Sequence, residues 1–115
     1  MPGFAASDPQ LSPQEVADRL AEGWLVIDVR EPYEREAGYI EGTRHIELER
    51  LAGQADSIPK DQPVIFQCRL GARSGMATQA FRASGYEAYN LDGGIQAWAG
   101  AGLPLAPEGG RVADH

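Results

Sequence analysis

Two short apolar runs, Trp24-Leu25-Val26-Ile27 and Val64-Ile65-Phe66, restrict this chain more than any other feature. Neither alternates polar with apolar residues, so each reads as a strand covered on both faces, the pattern of a parallel sheet with helices above and below. Helix signals flank both runs. Ser12, Pro13 and Glu15 supply an N-cap, a first-turn proline and the partner of a capping box. Val16 and Leu20 form the inward face of that helix, Leu11 is placed to staple against Val16, and Gly23 ends it. After the second run, Met76, Ala77, Ala80 and Phe81 recur at helical spacing, and Gly85 stands where a left-handed C-terminal cap belongs. The alternation predicts an α/β domain with a mostly parallel central sheet and helices on both faces.

The remaining segments fit the same alternation. Pro32 to Ala37 is predicted as a short helix closed by Gly38, Thr43 to Ile46 as a brief strand, and Tyr86 to Leu91 as a further strand. Leu48, Leu51, Ala55 and Ile58 are spaced like one side of a helix ending before Pro59. Asp92-Gly93-Gly94 is a sharp turn into a short helix carrying Ile95 and Trp98, stopped by Gly100, Gly102 and Pro104; Trp98 reads as a packing residue. Residues 1–10 read as a loosely held arm, 11–104 as the domain and 105–115 as a polar tail.

The second apolar run leads into Cys68, the only cysteine of the chain. The segment from Cys68 to Arg73 is then a tight loop between a strand and a helix N-terminus, where free N–H groups and the positive end of the helix dipole share one small volume. Such a place favours a thiolate and holds an anion, and Arg69 and Arg73 add positive charge. The bland alternative is a buried structural cysteine. Two flanking cations and Gly71, which lets the backbone turn inward, speak against it. Asp28 and Arg30 come at the exit of the first run; they read as an ion pair fixing the next turn, support near the site rather than machinery in it.

At 115 residues the chain fits one domain. A single cysteine excludes an internal disulfide, and two histidines, His45 and His115, argue against a zinc or iron centre, so no metal and no cofactor is expected. A formal charge of −7 argues against nucleic acid or an anionic membrane as partner. No apolar run approaches the ~18 residues of a membrane span, and the N-terminus lacks a signal-peptide pattern. A cytoplasmic location is expected, which also suits a thiol that must stay reduced.

Three ordered blocks resemble the rhodanese sulfurtransferase family. Cys68-Arg69-Leu70-Gly71-Ala72-Arg73-Ser74 is similar to its C-x-x-G-x-R-S loop. Asp28-Val29-Arg30-Glu31-Pro32-Tyr33-Glu34 with Gly38-Tyr39-Ile40-Glu41-Gly42 resembles its first block, and Leu91-Asp92-Gly93-Gly94-Ile95-Gln96-Ala97-Trp98 its last. The resemblance implies a sheet of about five strands and sulfur transfer through a Cys68 persulfide. A small anionic donor such as thiosulfate would give up its outer sulfur. The acceptor would be cyanide, an external thiol or a sulfur-carrier protein. Arg69 is expected to grip the donor, loop N–H groups from Leu70, Gly71, Ala72 and Arg73 to hold the outer sulfur, and Arg73 to fix the loop by pairing with an acid such as Asp28 or Glu31. Tyr39, Thr43 and Glu47 depart from the family's usual residues and place the pocket rim and partner preference in question.

Two alternatives use the same loop. A cysteine phosphatase or arsenate reductase would need five residues between cysteine and arginine, whereas four separate Cys68 from Arg73. A non-enzymatic module that senses persulfide or binds a protein would keep Cys68 without turnover.

Overall fold

The computed structural model describes residues 8–114. The strands are β1 (Gln10–Leu11), β2 (Leu25–Asp28), β3 (Arg44–His45), β4 (Val64–Gln67) and β5 (Ala88–Leu91). The helices are α1 (Pro13–Ala21), α2 (Pro32–Ala37), α3 (Leu48–Leu51), α4 (Ala72–Ala83) and α5 (Gly94–Gly100). The strands form one sheet in the order β1-β5-β4-β2-β3, with every neighbouring pair parallel.

The two apolar runs became the central strands β4 and β2, and their alternate residues feed two cores. Ile27, Val64 and Phe66 pack with Leu51, Ala77 and Phe81 on the α3 and α4 face. Val26, Ile65 and Leu91 pack with Val16, Ile95 and Trp98 on the α1 and α5 face. Burying a side chain of this size stabilises by about 1.5–3 kcal/mol, which is why continuous apolar strands sit at the centre. Ser12 and Glu15 close both bonds of the capping box, at 3.1 and 2.9 Å. Leu11 and Val16 share a core, and Trp98 is buried with Nε1 donating to the Pro104 carbonyl at 2.8 Å. Gly85 is left-handed, with φ 92°.

Several boundaries differ from the pattern. The helix read over Leu48 to Ile58 is a single turn, α3, running into a 3-10 segment over Ala52–Ser57. Its apolar residues were spaced too loosely to sustain one α-helical stripe. Gln10, read as part of the arm, pairs with Asn90 in the edge strand, while residues 1–7 of that arm lie outside the described residues. The segment from 105 onward is tied back to the domain. Tyr39 and Ala106 exchange backbone hydrogen bonds at 2.8 and 2.7 Å, and the Arg111 N–H donates to the Ala37 carbonyl at 2.8 Å. Polar composition hides these bonds because main-chain groups make them.

Candidate active site

The site lies where β4 ends and α4 begins. Cys68 is 1% exposed and belongs to the core on the α4 face, as a buried structural cysteine would. Its surroundings are nonetheless polar and directed at it. The Gly71 N–H reaches Sγ at 3.1 Å and the Ser74 N–H at 3.4 Å, and the Ser74 hydroxyl oxygen lies 3.2 Å from it. Gly71 provides the first of these from φ 106°, a conformation that a side chain would strain, and so caps α4. Donors gathered on one atom at a helix N-terminus stabilise negative charge there. Above the sulfur opens a pocket of about 260 Å³ lined by Cys68, Arg69, Leu70, Ala72 and Arg73.

The loop is fixed from two sides. On one, the start of α5 packs against its base: the Ile95 and Gln96 N–H groups donate to the Cys68 and Arg69 carbonyls at 2.8 and 3.0 Å. Gly94 permits this approach, since a Cβ there would fall on the Arg69 carbonyl carbon and 2.6 Å from the Cys68 oxygen. On the other side stands Asn90 of β5, which is buried. Its Oδ1 accepts from the Ser74 hydroxyl at 2.6 Å, and its Nδ2 donates to the Gly71 carbonyl at 3.2 Å and to Gln10 Oε1 at 3.0 Å. Sequence reasoning passed over Asn90; the available signal was a polar residue in a strand whose neighbours are buried.

The two arginines differ. Both Nη atoms of Arg73 donate to the Glu34 carboxylate, at 2.8 and 2.9 Å, and Glu34 is fully buried. That hydrogen bonding raises the Arg73 pKa above its ordinary value despite the opposing effect of burial. Arg73 was expected to pair with Asp28 or Glu31, and the structure corrects the partner to Glu34. Glu34 is turned inward by the α2 cap, where its Oε1 also accepts from the Glu31 N–H at 3.0 Å. Arg69 keeps a looser arrangement: Nη2 lies 3.7 Å from Asp114 Oδ1, and Nε is buried with no hydrogen-bond partner among the described residues.

Asp28 and Arg30 are both fully buried and do not line the pocket. Arg30 Nε and Nη2 bind the two Asp28 oxygens at 2.9 Å each, and Nη2 also donates to the Gly38 carbonyl at 2.8 Å. Arg35 adds a contact of 3.2 Å to Asp28 and reaches Thr43 Oγ1 and the Thr43 carbonyl at 3.0 and 2.9 Å. The departures from the family pattern are structural in position. Thr43 anchors Arg35, Tyr39 lies under the Arg35 guanidinium at 4.5 Å, and Glu47 pairs with Arg50 at 3.3 Å. None of the three lines the pocket. No group of histidine, cysteine and acidic residues among the described ones is arranged to hold a metal.

Residues 12–101 match the family description of a rhodanese-like domain. The chain belongs to the rhodanese-like family. It is 38% identical over 104 residues to a sulfurtransferase of Allochromatium vinosum, covering 87% of this chain and 97% of that protein. It is 32% identical over 90 residues to thiosulfate sulfurtransferase GlpE of Ectopseudomonas mendocina, covering 77% and 83%. An uncharacterised Bacillus subtilis protein, YqhL, is 46% identical over 76 residues, 65% of this chain and 60% of its own length. Among solved structures, a rhodanese-related protein of Thermoplasma volcanium superposes with a TM-score of 0.79 at 26% identity, covering 84% of this chain and 96% of that one. The rhodanese-like fold and sulfurtransferase kinship are thereby fixed. No helix among the described residues is long and apolar enough to cross a membrane.

Proposed function

We propose that this rhodanese-like protein transfers a sulfane sulfur from thiosulfate or another persulfide donor to a cyanide or thiol acceptor, through a persulfide on Cys68. The observation that carries this reading is the set of donors converging on Cys68 Sγ at 3.1–3.4 Å beneath an open pocket. With thiosulfate, the Cys68 thiolate attacks the outer sulfur, a new S–S bond forms, the old one breaks, and its electron pair leaves with sulfite. The negative charge then rests on the outer persulfide sulfur, in the pocket lined by Arg69, Leu70, Ala72 and Arg73. The acceptor removes that sulfur and regenerates the thiolate. No general base is required once the sulfur is ionised.

The same geometry disfavours phosphate chemistry. Only four residues separate Cys68 from Arg73, one fewer than a cysteine phosphatase loop, and Arg73 is held end-on by Glu34 as part of the loop's architecture. The acceptor, cyanide or a thiol, comes from outside the chain, since the chain has no second cysteine. A thiol carried on a small molecule or on a protein can approach the pocket beside Leu70, a pocket-lining residue that is 56% exposed. A reduced cytoplasm is the setting in which this single thiol stays available.

Turnover of thiosulfate and cyanide, with Cys68→Ser as control, tests the proposal. Activity and a gain of one sulfur atom in intact mass are expected for the wild type, and neither for the variant. A wild type that takes up no sulfur from either thiosulfate or a small hydropersulfide overturns it.

A further inference from the structure

The pocket holds two cations and each has an acid. Arg73 is matched by the buried Glu34 at 2.8 Å, so its charge is answered inside the fold. Arg69 is matched by Asp114, whose side chain is fully exposed. The segment delivering Asp114 is nevertheless docked. The Arg111 N–H is bonded to Ala37, Ala113 is buried, and the Tyr33 hydroxyl donates to the Asp114 carbonyl at 3.1 Å. Gly38 admits this segment, because a Cβ there would fall on the Arg111 backbone. Tyr33 immediately precedes Glu34, the acid that holds Arg73, so this tether ties the Asp114 segment to the helix that fixes the loop.

We infer that Asp114 is a specificity-determining residue that competes with anionic donors for Arg69. The inference rests on the sulfur-transfer reading for the identity of the donor, whereas the competition itself does not. With Glu34 on one arginine and Asp114 on the other, the four side chains sum to zero charge. A dianion such as thiosulfate must displace Asp114 from Arg69 or bear its repulsion, and a dianion feels that repulsion twice as strongly as a monoanion. The site therefore discriminates toward donors of low charge. A hydropersulfide, R–S–SH, is the fitting class. The Cys68 thiolate bonds to its outer sulfur, the R–S bond to that sulfur breaks, the electron pair leaves on R–S, and the outer proton follows it to give R–SH and an enzyme persulfide anion. Atoms and charge balance without a further reactant.

The test compares alkylation of Cys68 by iodoacetate, an anion, with alkylation by neutral iodoacetamide, in wild type, Asp114→Asn, Arg69→Gln and the double variant at low ionic strength. An exposed pair is weak, so Asp114→Asn is expected to speed iodoacetate about twofold and to leave iodoacetamide unchanged. kcat/KM for thiosulfate should rise about fourfold, the square of the monoanion effect. In the Arg69→Gln background the iodoacetate gain should shrink, because only the through-space repulsion of Asp114 is left to remove. An unchanged iodoacetate rate overturns the inference. So does an equal change with both reagents, which would mean the segment only blocks access, and so does a gain of undiminished size in Arg69→Gln. Should the wild type take no sulfur from thiosulfate, the sulfur-transfer reading falls while the two alkylation rates still decide the role of Asp114.

Discussion

The exits of β2 and β4 lie side by side in the sheet, Asp28 in register with Gln67, yet they are finished in opposite ways. At the β2 exit, Asp28, Arg30 and Arg35 bind one another and nearby carbonyls, and the charges are consumed by the turn they hold. At the β4 exit, one residue further along, the Gly71 and Ser74 N–H groups converge on a single sulfur beneath an open pocket. Neighbouring strand ends thus divide the work. One is satisfied internally and gives rigidity, and the other directs its polar groups at an atom that can change its bonding. A buried charge near a pocket is therefore weak evidence of chemistry, and the direction in which donors point is strong evidence.

Substitution at the β2 exit should produce the largest effect on stability. Asp28→Asn leaves Arg30 buried without its carboxylate, and breaking such a pair costs about 3–5 kcal/mol. Urea denaturation should register that loss, while the fraction still folded keeps most of its turnover. If turnover collapses with stability intact, the two exits are not divided in this way. Ser74→Ala should behave in the opposite sense. It removes the hydroxyl that lies against Cys68 Sγ and leaves Asn90 Oδ1 without its partner, so turnover should fall about tenfold or more, with a stability cost of only about 1–3 kcal/mol.

The arginines sharpen the comparison within the site. Arg69→Ala removes a half-paired side chain at the mouth, so KM for thiosulfate should rise several-fold with stability changed by about 0.5 kcal/mol or less. An unchanged KM would assign the donor contact elsewhere. Arg73 belongs with the satisfied network, and Arg73→Ala should show first as lost stability, because it strips the buried Glu34 of its bidentate partner.

The parts legible in the chain were those set by local chemistry. The apolar runs fixed which strands are central, and Ser12, Pro13 and Glu15 fixed the start of α1, because caps and two-sided burial act within a few residues. The Cys68 loop was legible for the same reason, being one strand end, one glycine and one helix start. The partner of Arg73 was not. Glu31 and Glu34 lie three residues apart on α2, and only the fold, with Glu34 turned inward by its cap, selects between them. Asn90 was hidden too. Its role depends on β5 lying next to β4 and on the Gly71 and Ser74 groups brought to it from a distant part of the chain. The docking of Arg111 to Asp114 depends on backbone bonds, which leave no mark in composition.

The smallest effect expected lies far from both exits, at Tyr89, and separates the fold's general pH response from that of the site. Burial, followed by the hydrogen bond to Glu87 at 2.6 Å, pushes the Tyr89 phenol up to about 12. An unfolded tyrosine ionises near pH 10, at about 10. Between those values the folded chain holds a proton that the unfolded chain has released, so stability falls as pH rises. Tyr89 therefore contributes fully below pH ~10 and progressively less as pH climbs toward its folded pKa. The ring is part-buried beside Trp24, while its hydroxyl bonds the exposed Glu87, so solvent screening keeps the contribution small. Tyr89→Phe should be slightly less stable than wild type at neutral pH, and the gap measured by denaturation should narrow between pH ~10 and ~12. A gap that stays constant over that interval would show that the phenol stabilises through packing alone.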